Sequence, residues 1–284
     1  MRLSILYDRL RWEEKTLSEE AKASGHVVDL VDTRSLHFDV SRRMRTEKFG
    51  DGVLQRCISH YRALFSTRIL ESAGARVINR YSVAEVCGNK LATTLALSRA
   101  RVPTPRTVVA LSSDSVEEAA KKVRFPLVMK PFTGSWGRMV SVAKDKDALS
   151  SLVELREEMH NPLEHMYYLQ ELVKRPPRDI RAVVAGDEIA ACVYRNAARG
   201  DWKTNVARGG TSEAFKPSAS LVELVLKAAE AVGGGVLGVD AMESEGGYVI
   251  HEVNSTVEFR GAQTATKGSI AAKIIGYAAR SLRK

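Results

Sequence analysis

Apolar and polar residues alternate in short blocks over roughly the first third of the chain, with a period of two in some blocks and of three to four in others. The blocks predict strands alternating with helices, a small doubly wound α/β lobe in which Gly25 and Gly74 end the helices. The predicted strands are 3–7, 27–31, 53–58 and 75–79, and the predicted helices are 12–24 and 61–73. The polar stretch 35–51 has little periodicity and is predicted to be a loop.

The rest of the chain predicts two further lobes of mixed α+β character, so that the fold class is α/β with α+β lobes. A helix over 84–100, closed by Pro103 and Pro105, leads into the second lobe. The second lobe has predicted strands at 107–111, 127–131 and 139–143 and helices at 115–123 and 146–158. The third has a strand at 167–173, a hairpin over 180–194, helix 219–231, a second hairpin and a last helix at 269–282.

The second hairpin of the third lobe brings oxygen-bearing side chains together. A three-residue loop at 245–247 sets Asp240 opposite Glu252, and the strand period of two puts Asn254 on the same face as Glu252. Adjacent carboxylates repel unless a proton or a cation lies between them, and hard oxygen ligands suit magnesium. The spacing predicts a magnesium site, with a solvated acidic hairpin as the alternative.

A second candidate site lies where an apolar strand ends in Lys130 and the sequence Phe-Thr-Gly-Ser-Trp-Gly-Arg follows at 132–138. The backbone N–H groups of such a loop, together with Arg138 and the lysine, can bind phosphates. The loop lacks the Walker pattern, because no Gly-Lys-Ser/Thr sequence closes it. A plain β-hairpin turn with an exposed Trp136 is the alternative.

The strand at 170–173, Gln-Glu-Leu-Val, joins the second and third lobes. Such a hinge can present backbone groups to an adenine edge, although a core strand with one charged edge residue has the same pattern. Asp179 and Arg181 then share one face of the next strand. They form either an ion pair or a site in which Asp179 binds a ribose hydroxyl.

A polar stretch after this strand carries four candidate ligand residues: Arg195, Lys203, Asn205 and Arg208. Guanidinium groups bind planar anions in a bidentate manner, so the stretch is a candidate pocket for phosphates and carboxylates. A solvated loop is the alternative.

Charge and cysteine content narrow the classes of partner. The net charge of +9 admits a nucleic-acid partner, but the basic residues are scattered and no zinc-finger or RNA-binding signature is present. Steering of an acidic or phosphorylated partner is the second interpretation. The cysteines Cys57, Cys87 and Cys192 lie too far apart for a metal knuckle. With no membrane span or secretory signal in the pattern, we expect a cytoplasmic protein without membrane or nucleic-acid partners.

The order of these motifs resembles the ATP-grasp superfamily over essentially the whole chain, and within it the RimK-like branch. The strings Gly-Ser-Trp-Gly-Arg at 134–138 and Val-Gly-Gly-Gly-Val at 232–236 resemble the subgroup of LysX and ArgX enzymes. Those enzymes join 2-aminoadipate or glutamate to the carrier protein LysW. The resemblance implies a Rossmann-like pre-ATP-grasp domain at 1–88, a small lid subdomain at 89–168 and a large subdomain with the metal site at 169–284.

The resemblance also assigns roles by position. Lys90 and Lys130 would contact ATP phosphates, with Lys130 near the adenine side, and Gly134, Ser135 and Gly137 of the loop would also bind the nucleotide. The other residues implied in nucleotide binding are Glu171 and Leu172 for adenine, Asp179 for ribose, and Lys203, Thr204 and Asn205 beside the acyl phosphate. Magnesium would be held by Asp240, Glu252 and Asn254. Lys130, Arg195, Asn205 and Arg208 would act in catalysis, with the two arginines holding amino-acid carboxylates.

As implied by the resemblance, the enzyme is an ADP-forming ligase of lysine and possibly arginine biosynthesis, with ATP and Mg²⁺ as cofactors. Its partners are a free amino acid and an acidic LysW carrier, which the positive charge would attract. Relatives of this group often form dimers or tetramers, so we expect a homo-oligomer. One departure is Asn89, where relatives usually carry Asp, and it concerns the local helix cap.

Amino-acid choice is assigned by the resemblance to residues 260–262. Aminoadipate enzymes tend to carry Asn then Ser or Thr after the basic residue, and glutamate enzymes carry Gly-Phe. Here Arg260 is followed by Gly261 and Ala262, and the smaller Ala predicts that both amino acids are accepted. Two alternatives remain: a RimK-type ligase adding glutamate to a ribosomal protein or pterin coenzyme, and a basic nucleic-acid-binding protein without catalysis.

Overall fold

A computed structural model describes residues 1–198 and 209–283. The first lobe is a parallel four-stranded sheet, as the alternating pattern predicts. Its strands, in the spatial order β2-β1-β3-β4, are β1 (Arg2–Tyr7), β2 (Val27–Asp32), β3 (Gly52–Gln55) and β4 (Val77–Ile78), and its helices are α1 (Trp12–Ala23) and α2 (His60–Ser72). Strands β3 and β4 are shorter than predicted, and the chain beyond β3 turns into the cleft described below.

The helix predicted at 84–100 is two helices, α3 (Tyr81–Cys87) and α4 (Lys90–Arg99). Asn89 starts the second, because its side-chain oxygen accepts hydrogen bonds from the backbone N–H groups of Leu91 and Ala92. The helix cap at this position is therefore formed by asparagine, where relatives usually carry aspartate. A Cβ atom at Gly88 would lie 1.8 Å from the His60 ring, so the break is also a point of close packing.

The second lobe is an antiparallel sheet with helices on one side. Its strands, in the order β5-β8-β6-β7, are β5 (Thr107–Ala110), β6 (Leu127–Lys130), β7 (Ser141–Ala143) and β8 (Tyr167–Glu171), and its helices are α5 (Val116–Val123) and α6 (Lys146–Glu157). The sequence predicts β8 to begin the third lobe, but it lies between β5 and β6. The chain therefore enters the third lobe only after Glu171.

The third lobe is an antiparallel five-stranded sheet in the order β11-β10-β9-β12-β13. Its elements are β9 (Arg178–Ala185), β10 (Glu188–Asn196), β11 (Thr211–Ala214), α7 (Ala219–Ala231), β12 (Val236–Ser244), β13 (Gly247–Asn254), α8 (Arg260–Ala265) and α9 (Ile270–Arg283). Apolar residues of α7, α3 and α4 pack on one face of this sheet, and those of α9 and the first lobe pack on the other. The sheet is thus buried on both faces.

Asn79, at the end of the first lobe, connects that lobe to the third. The Asn79 side chain donates to the backbone oxygens of Val236 and Ser255, both at 2.7 Å, and accepts from the Val236 N–H. A Cβ atom at Gly235 would lie 2.1 Å from the Asn79 oxygen, so the glycine run at 233–235 allows this close approach.

Within the described ranges, no helix is both long and apolar enough to cross a bilayer.

Candidate functional site

A cleft lies where the three lobes meet, and it contains two neighbouring cavities of about 450 and 90 Å³. The larger is bordered by the chain after β3, by the 133–139 region and by the end of β13. The smaller lies between the loop and the sheet of the third lobe. Both are lined by Lys90, Gly134, Ser135, Asp240 and Glu252. The structure thus brings together residues of all three lobes that the sequence separates by more than a hundred positions.

The hairpin of β12 and β13 places the three oxygen donors as predicted. Asp240 lies directly opposite Glu252 and Gly238 lies opposite Asn254, although the connecting loop has two residues rather than three. A β-bulge between Asp240 and Ala241 leaves one extra residue, His251, on the partner strand, and it restores the register. The two differences from the sequence prediction cancel, so Asp240 and Glu252 do face the cleft together.

Asp240 is 2% exposed and is held by two arginines. Arg181, its cross-strand neighbour on β9, donates through Nε and Nη2, and Nη2 of Arg195 lies 3.1 Å from Oδ2. Burial by itself disfavours the carboxylate, but the two guanidinium charges outweigh it and lower the Asp240 pKa to about 2. Asp240 is therefore ionised at neutral pH, with much of its hydrogen-bonding capacity already used.

The donors left for a cation are Glu252 and Asn254. Both line the larger cavity, and neither side chain has a hydrogen bond or ion pair with another described residue. Carboxylate and amide oxygens are the ligands that magnesium prefers, so the residues present fit the ion. Outside the gap at 199–208 and the last residue, no group of three or more His, Cys, Asp or Glu side chains is placed to hold a metal. The set of donors in this hairpin consists of two carboxylates and one amide.

Arg195 and Asp179 form a buried pair beside this hairpin. They lie opposite one another on β10 and β9, and Arg195 donates to both Asp179 oxygens at 2.7 Å. Burial disfavours the Arg195 cation, yet the charges of Asp240 and Asp179 raise its pKa above the ordinary value. The roles predicted for Asp179 with ribose and for Arg195 with a substrate carboxylate stay predictions, and in this structure each side chain is bound by the other.

Lys130 ends β6 inside the cleft, as the pattern predicts. Its side chain is buried, and Nζ donates to Oε1 of Gln170 at 2.6 Å. Burial lowers the Lys130 pKa to about 8, against the opposing effect of the Glu252 charge. Gln170, whose amide also donates to Thr107 and Tyr168, is a site residue that sequence reasoning passed over in favour of its neighbour Glu171.

The hinge residues predicted to hold adenine, Glu171 and Leu172, do not line either cavity of the cleft. Glu171 uses its backbone N–H and its side chain on Arg106. Their assignment to adenine stays a prediction. Lys203, Thr204, Asn205 and Arg208 fall outside the described residues.

The glycine-bearing loop lies over the cleft. Lys90 Nζ donates to the Gly134 carbonyl at 2.9 Å, and the Arg138 guanidinium lies 5.2 Å from the Trp136 ring centroid. Gly134 and Gly137 have φ angles of 139° and 66°, which favour glycine. Lys90, Lys130, Gly134, Ser135 and Gly137 all line the smaller cavity, as a phosphate site requires.

The residues predicted to select the amino acid do not border the cleft. Arg260 is exposed, and Ala262, at 5% exposure, packs into the core formed by the first lobe and α9. None of Arg260, Gly261 and Ala262 is among the residues that line either cavity. The space that a small Ala262 was expected to leave for a substrate is therefore filled by the protein core.

His251 is a second residue that the sequence pattern missed. Strict alternation would turn it away from Glu252, but the bulge sets it beside the smaller cavity. Both ring nitrogens are buried, and neither has a hydrogen bond to a residue that the structure describes. Burial, together with the Lys130 charge, lowers its pKa to about 4, so the imidazole is neutral at pH 7.

The three cysteines are free thiols.

A cleft between an antiparallel lid sheet and a larger sheet, with lysines under a glycine-bearing loop facing an acidic hairpin, defines a nucleotide-dependent ligase of the ATP-grasp class. Residues 87–278 match the RimK-like ATP-grasp domain, and residues 3–86 match the LysX pre-ATP-grasp domain. The chain belongs to the RimK-like ATP-grasp family. It is an ATP-dependent ligase that uses magnesium, which confirms the expectation from the motif order.

Named relatives and solved structures are similar over nearly the whole chain. The alpha-aminoadipate–LysW ligase LysX of Sulfurisphaera tokodaii is 40% identical over 92% of both chains. The glutamate–LysW ligase ArgX of Sulfolobus acidocaldarius is 34% identical over 98% of both. The crystal structure of a RimK-domain ATP-grasp protein from Sphaerobacter thermophilus is 25% identical and superposes with a TM-score of 0.80, covering 98% of this chain and 99% of that one.

Proposed function

We propose that this chain joins the amino group of L-2-aminoadipate or L-glutamate to the C-terminal glutamate of a LysW carrier protein. The observation that carries the proposal is the likeness to both LysX and ArgX enzymes along almost the full chain. These two activities share the carrier and differ in the amino acid. The RimK-type alternative has weaker support, since a probable alpha-L-glutamate ligase of Shewanella loihica is 29% identical.

The proposed reaction has two steps. A carboxylate oxygen of the carrier attacks the γ-phosphorus of ATP, the bond to the bridging oxygen breaks, and ADP leaves. The amino nitrogen then attacks the acyl carbon, and the bond between that carbon and the phosphate oxygen breaks, so that inorganic phosphate leaves with the oxygen. The nitrogen loses a proton to water as the isopeptide bond forms. No nucleophilic side chain is needed, so the protein's task is to position the groups and stabilise charge.

The cleft residues suit that task. Lys90 and Lys130 are cations facing the smaller cavity, and the loop places Gly134 and Ser135 beside them. Glu252 and Asn254, with Asp240, would hold magnesium, which when bound offsets phosphate charge as a Lewis acid. Arg181 and Arg195 keep Asp240 ionised in the absence of the metal, because their charges lower its pKa.

For the amino acid, we infer that both substrates are accepted, on the basis of likeness to both enzyme types. The reasoning from Ala262 no longer supports this inference, since that side chain lies in the core. Ser255 and Thr256 border the larger cavity instead, and we propose that they are the residues of this segment that a substrate contacts.

The test is ADP release by the purified chain with a LysW protein and each amino acid in turn. We expect release to require both, and the intact mass of the carrier to rise by that of the amino acid less water. Activity with one amino acid alone would reject dual acceptance. An unmodified carrier with both, under conditions where MgATP binds, would reject the LysW proposal and leave the ligase class intact.

We also infer a cytoplasmic homo-oligomer, a dimer or a tetramer, on the strength of the subgroup resemblance. Light scattering on the purified chain would give the assembly mass. A monomer at micromolar concentration would contradict the inference.

A further inference from the structure

One carboxylate connects the glycine-bearing loop to the first lobe. Trp136 Nε1 donates to Oε2 of Glu258 at 3.4 Å, and Arg11 Nη1 donates to Oε1 of the same carboxylate at 2.8 Å. The three residues come from three different lobes and all border the larger cavity. We propose that Glu258 is a positioning residue that holds loop 133–138 over the cleft by joining Trp136 to Arg11.

The anchor on the first lobe is rigid. Arg11 donates to both oxygens of Glu14, which is fully buried, and Arg56 donates to Oε1 of Glu14 at 3.2 Å. Arg56 also donates to the backbone oxygen of Val257 at 2.9 Å. The residue preceding Glu258 is thus fixed by the same network that fixes Arg11. Glu258 is therefore positioned by contacts with the first lobe that do not involve the loop: Arg11 binds its carboxylate, and Arg56 binds the backbone of the preceding residue.

The loop has a second tie, from Lys90 to the Gly134 carbonyl. Lys90 also faces the smaller cavity, so a phosphate bound there would compete for its ammonium group. The bond from Trp136 to Glu258 would then keep the loop in position while Lys90 turns to the nucleotide. The loop thus has one contact that phosphate binding would break, from Lys90 to Gly134, and one that it would leave intact, from Trp136 to Glu258. The second contact would keep the loop over the cleft while phosphate is bound.

The role assigned to Glu258 requires only that the cleft bind nucleotide, and it does not depend on which carrier or amino acid is ligated. It can therefore be tested with MgADP alone. The readout is the rate of tryptic cleavage after Arg138, which lies at the end of the loop. Failure of this test would leave the LysW proposal unaffected, since neither carrier nor amino acid is present.

The experiment compares Glu258→Ala, Trp136→Phe and the double variant at saturating MgADP. Trp136→Phe removes the N–H donor and keeps an aromatic ring. We expect each single change to speed cleavage about two- to fivefold, as loss of a solvent-exposed hydrogen bond to a charged group implies, and the double variant to be cleaved no faster than Glu258→Ala. KM for ATP should rise more than kcat falls.

The matched control is Glu245→Ala, which removes an exposed carboxylate that pairs with Lys174 on the far end of the hairpin. It should be cleaved at the wild-type rate. Unchanged cleavage in both single variants, or rate increases that multiply in the double variant, would overturn the proposal. If Glu258→Ala does not fold, the Trp136→Phe variant decides alone. A wild-type cleavage rate then rejects the Trp136–Glu258 contact as a restraint on the loop, and a two- to fivefold increase supports it.

Discussion

Replacement of the buried lysine in the cleft should stabilise the protein while abolishing its activity. Burial lowers the Lys130 pKa from 10.5 to about 8, and the Glu252 charge only partly opposes this. The fall corresponds to about 3 kcal/mol of lost stability at neutral pH, since each pH unit is worth roughly 1.4 kcal/mol. Below pH 8 both folded and unfolded chains carry the proton, so the full cost is present. Between pH 8 and 10.5 the folded chain releases its proton first, and stability rises.

Lys130→Met removes this cost but leaves Oε1 of Gln170 without its donor, a loss of about 1–2 kcal/mol. The net expectation is a nucleotide-free protein about 1–2 kcal/mol more stable at pH 7, which raises Tm by about 3–6 °C. ATP turnover should be lost, because the phosphates lose a cation. Thermal unfolding at pH 7 and pH 10, followed by circular dichroism, measures the effect.

The control for this experiment is Lys174→Met, on an exposed lysine whose side chain is 90% accessible. Its Tm should stay close to that of the wild type at both pH values. The advantage of Lys130→Met should shrink as the pH approaches 10, since the wild-type lysine is then neutral. A Tm below wild type at pH 7, or a difference that does not change with pH, would refute the assignment of a costly buried charge.

Three other changes give separate tests. Glu252→Gln should lower magnesium-dependent ATP turnover by about 100-fold, with a small fall in Tm because the Glu252 charge offsets part of the burial cost of Lys130; near-normal turnover would contradict the metal assignment. Asp240→Asn is less informative, because it removes the carboxylate paired with Arg181 and leaves Arg195 with Asp179 alone, and it should cost about 3–5 kcal/mol. Asn89→Ala should cost about 1 kcal/mol through loss of the α4 cap, and an unchanged urea midpoint would argue against that cap. Ala262→Phe should lower Tm by overpacking the core, and altered amino-acid selectivity at constant Tm would show that the residue borders the substrate instead.

Features set by local periodicity could be predicted from the sequence. The parallel strands of the first lobe, helix α7 and the hairpins of the third lobe follow apolar repeats of two or of three to four residues. The pairing of Asp240 with Glu252 was predicted as well, but it holds only because the shorter loop and the β-bulge cancel in register. The residue order of the motifs was enough to identify the ATP-grasp class before any geometry was known.

Tertiary packing decided the rest. Strand β8 belongs to the lid sheet because it forms hydrogen bonds with β5 and β6. The sequence of β8 alone does not indicate which strands it pairs with. Ala262 falls in the core because α9 and the first lobe close over it. The bulge at His251 and the arginines around Asp240 depend on cross-strand neighbours brought together only in the folded sheet. A period describes which face a residue shares with its neighbours in the chain, whereas burial and ion pairing depend on what the other elements place against that face.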